Sequence, residues 1–251
     1  MTTSEPTSEP VVRVKDLHKS FSGKVILAGI NIELARGQSL GLMGGSGTGK
    51  SVTLRHVIGL MQPDKGSVEV QGKDLAKLTQ AELGELRKDM GYVFQEGALI
   101  NWLTVAENLA LPLRENTKLH ADEIEGKVQE KLALVRIPDA GGKYPSEISG
   151  GMKKRVGLAR ALITDPSLIL YDEPNAGLDP EISRAINHLM RDVSTELGVS
   201  SLVVEHRVEC LQTVADEVAF LLGGKVHLQA PVDEFFPVSY THLTLPTIYS
   251  V

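Results

Sequence analysis

The chain has 251 residues, 42% of them hydrophobic and 23% charged, with a formal net charge of −6 and a pI near 5.7. This is globular composition, with length for one large domain or one domain carrying a subdomain. The acidic balance speaks against a general nucleic-acid binder, which needs Lys and Arg to neutralise phosphates. The lone Cys210 can form no disulfide within the chain, so a reducing compartment is expected. No apolar run approaches the roughly 18 residues that cross a bilayer, and the first residues lack the basic and apolar regions of a signal peptide, which predicts a cytoplasmic protein.

Taken in chain order, residues 1–10, MTTSEPTSEP, repeat TSEP and carry no apolar residue after Met1, the composition of a disordered tail. Short apolar runs at 39–43, 90–94, 168–171, 201–204 and 218–222 predict buried strands. Helical patterns at 52–61, 180–196 and 208–214 lie between them, so the fold class is α/β, a sheet wrapped by crossover helices. The alternation breaks from about 96 to 164. There, helical patterns at 103–113, 122–135 and 150–163 predict a helical subdomain inserted between two strands. The run 218–222 followed by 225–229 predicts a terminal hairpin. The end of the chain, PVSYTHLTLPTIYSV, has no periodicity, and 238–247 resembles residue for residue the translation of a transposase-type sequencing adapter. Residues 237–251 are therefore read as library read-through, not native sequence, and are excluded from fold reasoning.

Gly44-Gly45-Ser46-Gly47-Thr48-Gly49-Lys50-Ser51 fits G-x-x-x-x-G-K-S, directly after one predicted strand and before a predicted helix. Backbone N–H groups of such a loop wrap nucleotide phosphates at a helix N-terminus, Lys50 reaches them as a point charge, and the Ser51 hydroxyl can ligate Mg2+. The run 168–173 is an apolar strand ending in Asp172 and Glu173, at the edge where a parallel sheet places its ligands. Strand alternation predicts that the two acids point apart, one toward the Mg2+ shell and one toward a water attacking the γ-phosphate.

Residues 148–155, ISGGMKKR, place Ser149, Gly150 and Gly151 at a predicted helix start. Unpaired N–H groups, the positive end of the helix dipole and glycines that admit close approach make this a second anion site. Alternatively Ser149 is only an N-cap, but a cap does not require two glycines, which cost about 1 kcal/mol each inside a helix.

With KKRVGLARAL and Asp165-Pro166 after it, ISGGM resembles the LSGGQ signature of ATP-binding-cassette (ABC) proteins, and residues 11–236 resemble that family in order and spacing. The resemblance implies a P-loop NTPase fold, an ABC-type nucleotide-binding domain with an inserted helical subdomain, and ATP and Mg2+ as ligands. It implies that Phe21 stacks on adenine, although from the residues alone an ordinary core aromatic is the better reading. It further implies that Gln95 contacts Mg2+ and the attacking water, that Asp179, in Ala176-Gly177-Leu178-Asp179, lies on a loop crossing a dimer, and that His206 holds the γ-phosphate. The family usually has Ser or Thr before that histidine and Asp after it, where this chain has Glu205 and Arg207.

Among soluble ABC machines, DNA-repair and chromosome members carry long coiled coils, translation factors paired cassettes and excision-repair members cysteine clusters, none of which this sequence has, so a transporter subunit is expected. FQEGALINWLTVAENLALPLRE, with SGGM for SGGQ, resembles the ATPases of the Mla and Mce systems, which move phospholipids or other lipids between membranes. Glu96 stands where those ATPases usually have Ser. The implied partners are a second copy of the chain, an integral-membrane permease touching 99–103 with Trp102 as anchor, and a membrane-anchored, lipid-binding Mce-type protein. No nucleic acid is implied, and the expected location is the cytoplasmic face of the inner membrane. The run 103–113 could instead be pure core, and the alternatives for the whole are a polar-solute importer ATPase or a soluble single-cassette ATPase of iron–sulfur assembly.

Overall fold

The computed structural model describes residues 9–95 and 97–236. Most of the expected N-terminal tail, Glu96 and the excluded segment 237–251 lie outside the described residues.

Two sheets organise the chain. β1 (Val12–Phe21) and β2 (Lys24–Leu34) form an antiparallel pair, and β4 (Lys65–Val70) and β5 (Lys73–Asp74) extend it in the order β2-β1-β4-β5. The second sheet contains β3 (Ser39–Met43), β6 (Met90–Val93), β7 (Leu168–Asp172), β8 (Ser200–Val204), β9 (Glu217–Leu222) and β10 (Lys225–Pro231), ordered β10-β9-β3-β8-β7-β6. All its neighbours pair in parallel except β9 and β10, the expected hairpin. Every residue of β3 and β8 is buried, the signature of parallel strands covered on both faces. Side-chain alternation divides the burial: along β7, Leu168 and Leu170 join one apolar cluster, and Ile169 and Tyr171 the other.

On one face lie α1 (Lys50–Val57), α2 (Gln80–Lys88) and the antiparallel sheet. On the other lie α3 (Val105–Asn116), α4 (Ala121–Leu134), α5 (Gly150–Leu162), α6 (Pro180–Leu197) and α7 (Val208–Val214). The short α8 (Val232–Phe235) follows β10. Three helices, α3 to α5, thus stand between β6 and β7 in the chain. α3 opens on a capping box, with Thr104 and Glu107 satisfying each other's backbone donors, and it continues past Pro112 beyond the expected end at 113.

α1 runs earlier than the expected 52–61. The glycine loop enters it directly at Gly49, and it ends where the Leu60 N–H reaches Arg55 O and the Gly59 N–H reaches His56 O, with Gly59 at φ +72°. That is a Schellman stop, which needs a residue free to turn left-handed. A polar knot ties the two sheets together. Asp89, before β6, accepts from the backbone N–H and hydroxyl of Ser167, before β7, while Gln71 of the β4–β5 turn donates to both Asp89 and the Ser167 hydroxyl.

Candidate functional site

The loop from β3 to α1 is shaped by what its glycines allow. A Cβ on Gly44 would lie 2.5 Å from Leu221 O, and one on Gly49, at φ +102°, 2.4 Å from a Leu27 methyl. Gly47 is also left-handed, so the chain curls around a concavity. Lys50, 6% exposed, donates to Gly44 O and Gly45 O, each at 2.8 Å, which folds its ammonium back over the loop. Burial pushes the Lys50 pKa down, opposed by the nearby carboxylates of Glu173, Glu205 and Asp172.

The Ser51 hydroxyl donates to Asp172 Oδ1 at 2.9 Å, joining the start of α1 to the end of β7. Asp172 is the last strand residue. Glu173 leaves the strand at φ +46°, with its N–H on Val204 O at 3.0 Å. The left-handed turn at Glu173 thus begins directly after Asp172, and Glu173 but not Asp172 lines the cleft below. Glu173 lines a cleft of about 320 Å3 together with Phe21, Ser46, Gly47, Gly49, Lys50 and Ser51. Phe21 is 42% exposed, which decides against a core aromatic, and Lys19 Nζ stands 5.8 Å from its ring centroid.

The remaining expected residues do not line that cleft. Gln95 sits in the turn after β6, with its carbonyl accepting from Lys154. The His206 side chain is 52% exposed, with Nδ1 3.3 Å from Glu205 Oε1. Ser149 is the N-cap of α5 and accepts from Met152 N at 3.3 Å. Gly150 is exposed, whereas a Cβ on Gly151 would stand 2.8 Å from Ile182 Cγ2. Packing of α5 on α6 thus supplies one reason for Gly151, which the sequence reading assigned wholly to close approach of a ligand. Asp179 caps α6, its Oδ1 accepting from Glu181 N and Ile182 N.

Three further residues stand near these elements: Tyr92, absent from the sequence analysis, and Glu205 and Arg207, which appear there only as departures beside His206. Tyr92, on β6, donates its hydroxyl to Asp172 Oδ2 at 3.0 Å. The Glu205 side chain is buried, with Oε1 accepting from His206 N at 2.8 Å and Arg207 N at 3.2 Å and Oε2 without a partner among the described residues. Arg207 reaches the Ser183 hydroxyl at 2.8 Å. A tyrosine in an apolar strand, and a charged pair flanking His206 where the family has Ser or Thr and Asp, were the available signals.

The sequence profile of the ABC transporter family matches residues 27–176. The methionine import ATP-binding protein MetN of Brucella abortus is 38% identical over 230 residues, 92% of this chain and 62% of that protein. The probable ribonucleotide transport ATP-binding protein mkl of Mycobacterium leprae is 42% identical over 220 residues, 88% of this chain and 63% of that protein. The chain thus spans less than two thirds of the length of these curated relatives. Among solved structures, cbiO1 of Clostridium perfringens, part of the ABC transporter complex cbiONQ, superposes with a TM-score of 0.84 at 30% identity over 91% of both chains. The ATP-binding cassette MJ0796, in a dimeric post-hydrolysis state bound to ADP and Pi, superposes at 0.80 and 29% identity over 88% of this chain and 98% of that one. With the family profile covering the glycine loop, the signature and the strand-end acids, and with the fold shared across nearly the whole cassette, this chain belongs to the ABC transporter family and carries its ATPase domain.

Proposed function

We propose that the chain is the ATP-binding and ATP-hydrolysing subunit of a transporter that moves phospholipid or another lipid between membranes, of the Mla and Mce type. The observation that carries the ATPase part is the gathering of Phe21, the glycine loop, Lys50, Ser51 and Glu173 around one cleft. Phe21 offers a ring face to adenine, and the loop N–H groups with Lys50 hold the phosphates. Ser51 and Asp172 supply hard oxygen donors suited to Mg2+, with Gln95 joining them on closure. A cation held there would rely on one carboxylate, a hydroxyl and the nucleotide's own oxygens. Bound there, Mg2+ would neutralise charge on the transferring phosphoryl group.

Glu173 then takes the proton of the attacking water as general base, and His206 steadies the γ-phosphate. Ser149, Gly150 and Gly151 stand outside this cleft, which supports their acting on nucleotide held by a second copy, with Asp179 at the crossing loop. Two composite sites per dimer result. The cassette occupies 11–236, with 96–164 as its helical insertion.

A second cleft, of about 460 Å3, is lined by Phe94, Ala98, Ile100 and Pro112, and Trp102, two residues after Ile100 in the chain, has 80% of its surface exposed. This surface suits a permease segment at the cytoplasmic face of the inner membrane, and an Mce-type lipid-binding protein completes the assembly. No helix of the described residues is long and apolar enough to cross a membrane itself. The lipid reading rests on the FQEGALINWLTVAENLALPLRE stretch. The similarity to the methionine import protein favours the second reading, a polar-solute importer.

Glu173→Gln tests the chemistry: ATP binding is retained, turnover falls about a hundredfold or more, and an ATP-bound dimer accumulates on gel filtration. Near-normal turnover removes Glu173 as the base. Purification with the membrane partners, followed by reconstitution in phosphatidylethanolamine vesicles, tests the cargo. ATP-dependent transfer of labelled phospholipid is the expected result, and ATP-dependent methionine uptake in its place selects the importer.

A further inference from the structure

The carboxylate of Asp172 is held by two hydroxyls that arrive from different parts of the fold. Ser51, at the start of α1, takes Oδ1, and Tyr92, on β6, takes Oδ2. Nothing in the packing of β6 calls for a phenol at position 92. A phenylalanine would fill the same wall, and a half-buried hydroxyl loses hydration unless it finds a partner.

The ring of Tyr92 faces a different environment. Its centroid lies 4.4 Å from that of Phe94, with the planes inclined by 43°. Both aromatics line the cleft of about 460 Å3 between β6 and the helical insertion, and Phe94 is 43% exposed there. One side chain therefore forms the wall of the outer cleft at its ring and touches a phosphate-site carboxylate at its hydroxyl. Gln95, only three residues on, provides no such link in this state, since its contact is through the backbone carbonyl to Lys154.

We propose that Tyr92 is a positioning residue that joins the outer cleft to the metal-binding carboxylate: a helix pressing on Phe94 and Tyr92 re-aims Asp172 Oδ2, and cation binding at Asp172 in turn shifts the cleft wall. The occupant of the cleft rests on the permease reading above, whereas the link between Tyr92 and Asp172 is independent of it. Coupling of this kind is reciprocal, so it is measurable from the cation side with the isolated protein.

The test uses the full chain, a non-hydrolysable ATP analogue and Mg2+ alone as probe. Tyr92→Phe removes the hydroxyl and keeps the ring. Outer partners of metal ligands change metal affinity by about ten- to a hundredfold, so the Mg2+ concentration that half-saturates analogue binding rises about tenfold or more. Analogue affinity in EDTA and the melting temperature stay as in the wild type. For the cleft, Asn116→Cys places an exposed thiol on its lining, the one native cysteine being buried, and carries an environment-sensitive dye. Adding Mg2+ to the analogue-bound protein changes the emission, and Tyr92→Phe abolishes that change. An unaltered Mg2+ half-saturation in Tyr92→Phe, or a dye response that survives the substitution, overturns the proposal. A permease that crosslinks elsewhere on the surface would fail the docking reading while leaving both measurements unchanged.

Discussion

Asn108→Ala should loosen the segment that presents Trp102 while leaving the nucleotide cleft intact. Asn108, on α3, is 1% exposed. Its amide nitrogen lies 3.1 Å from Ile100 O, 3.1 Å from Leu103 O and 2.9 Å from Thr104 O, and its oxygen accepts from Ile100 N at 2.8 Å. Two amide hydrogens are shared among three carbonyls, so about three net hydrogen bonds are at stake, each contributing about 1 kcal/mol. Residues 100, 103 and 104 are half-buried, and water recovers part of that loss. The better helix propensity of alanine returns about 0.5 kcal/mol. A destabilisation of about 2 kcal/mol follows, read as a lower urea midpoint at unchanged m-value. Amide exchange should accelerate at 100–104, with ATP affinity unchanged because none of these residues lines the nucleotide cleft. A loss below about 0.5 kcal/mol, or unchanged exchange at 100–104, would refute the view that this side chain organises the loop.

Ser149→Arg should leave ATP binding by the monomer within about threefold of wild type, at the cost of about 1 kcal/mol for the lost cap, and abolish ATP-driven dimerisation in light scattering. Lost monomer affinity would instead assign Ser149 to its own chain's nucleotide. Gly151→Ala separates two reasons for that glycine. Contact with Ile182 costs about 1 kcal/mol, and helix propensity returns a similar amount. The melting temperature should therefore hardly move while the ATP dimer is lost. Dimerisation restored by adding Ile182→Ala would assign Gly151 to packing alone.

What could be read in the sequence was contiguous chemistry. β3, the glycine loop and α1 follow one another, and each constrains the next, so strand, motif and helix reinforced one another. The antiparallel sheet left no comparable trace. Register shifts between Val14 and Leu17 and between Lys19 and Ser20 break the two-residue alternation of β1, and its partner β4 lies far along the chain. Asp172 and Glu173 were recognisable as a pair, but the left-handed backbone at Glu173, whose N–H meets Val204 O on the neighbouring strand, leaves no mark in the local pattern. Tyr92 illustrates the same limit within the site: an apolar strand predicts its burial, whereas its hydroxyl meets a carboxylate 80 positions away. Long-range contacts of this kind are fixed by the pairing of strands distant in the chain, β6 with β7 and β7 with β8, on which local periodicity is silent.

The seam between α5 and α6 carries an evolutionary consequence. Gly151 is seated against Ile182, and a Cβ on Gly150 would lie 3.7 Å from Leu178, so the glycines that open α5 face residues on either side of Asp179, the N-cap of α6. Neither segment can change size alone. A lineage that enlarges position 182 must keep glycine at 151, and one that trims 182 gains freedom there. Across a deep alignment, position 151 should therefore vary in step with 182, so that the signature and the start of α6 are inherited as one matched surface.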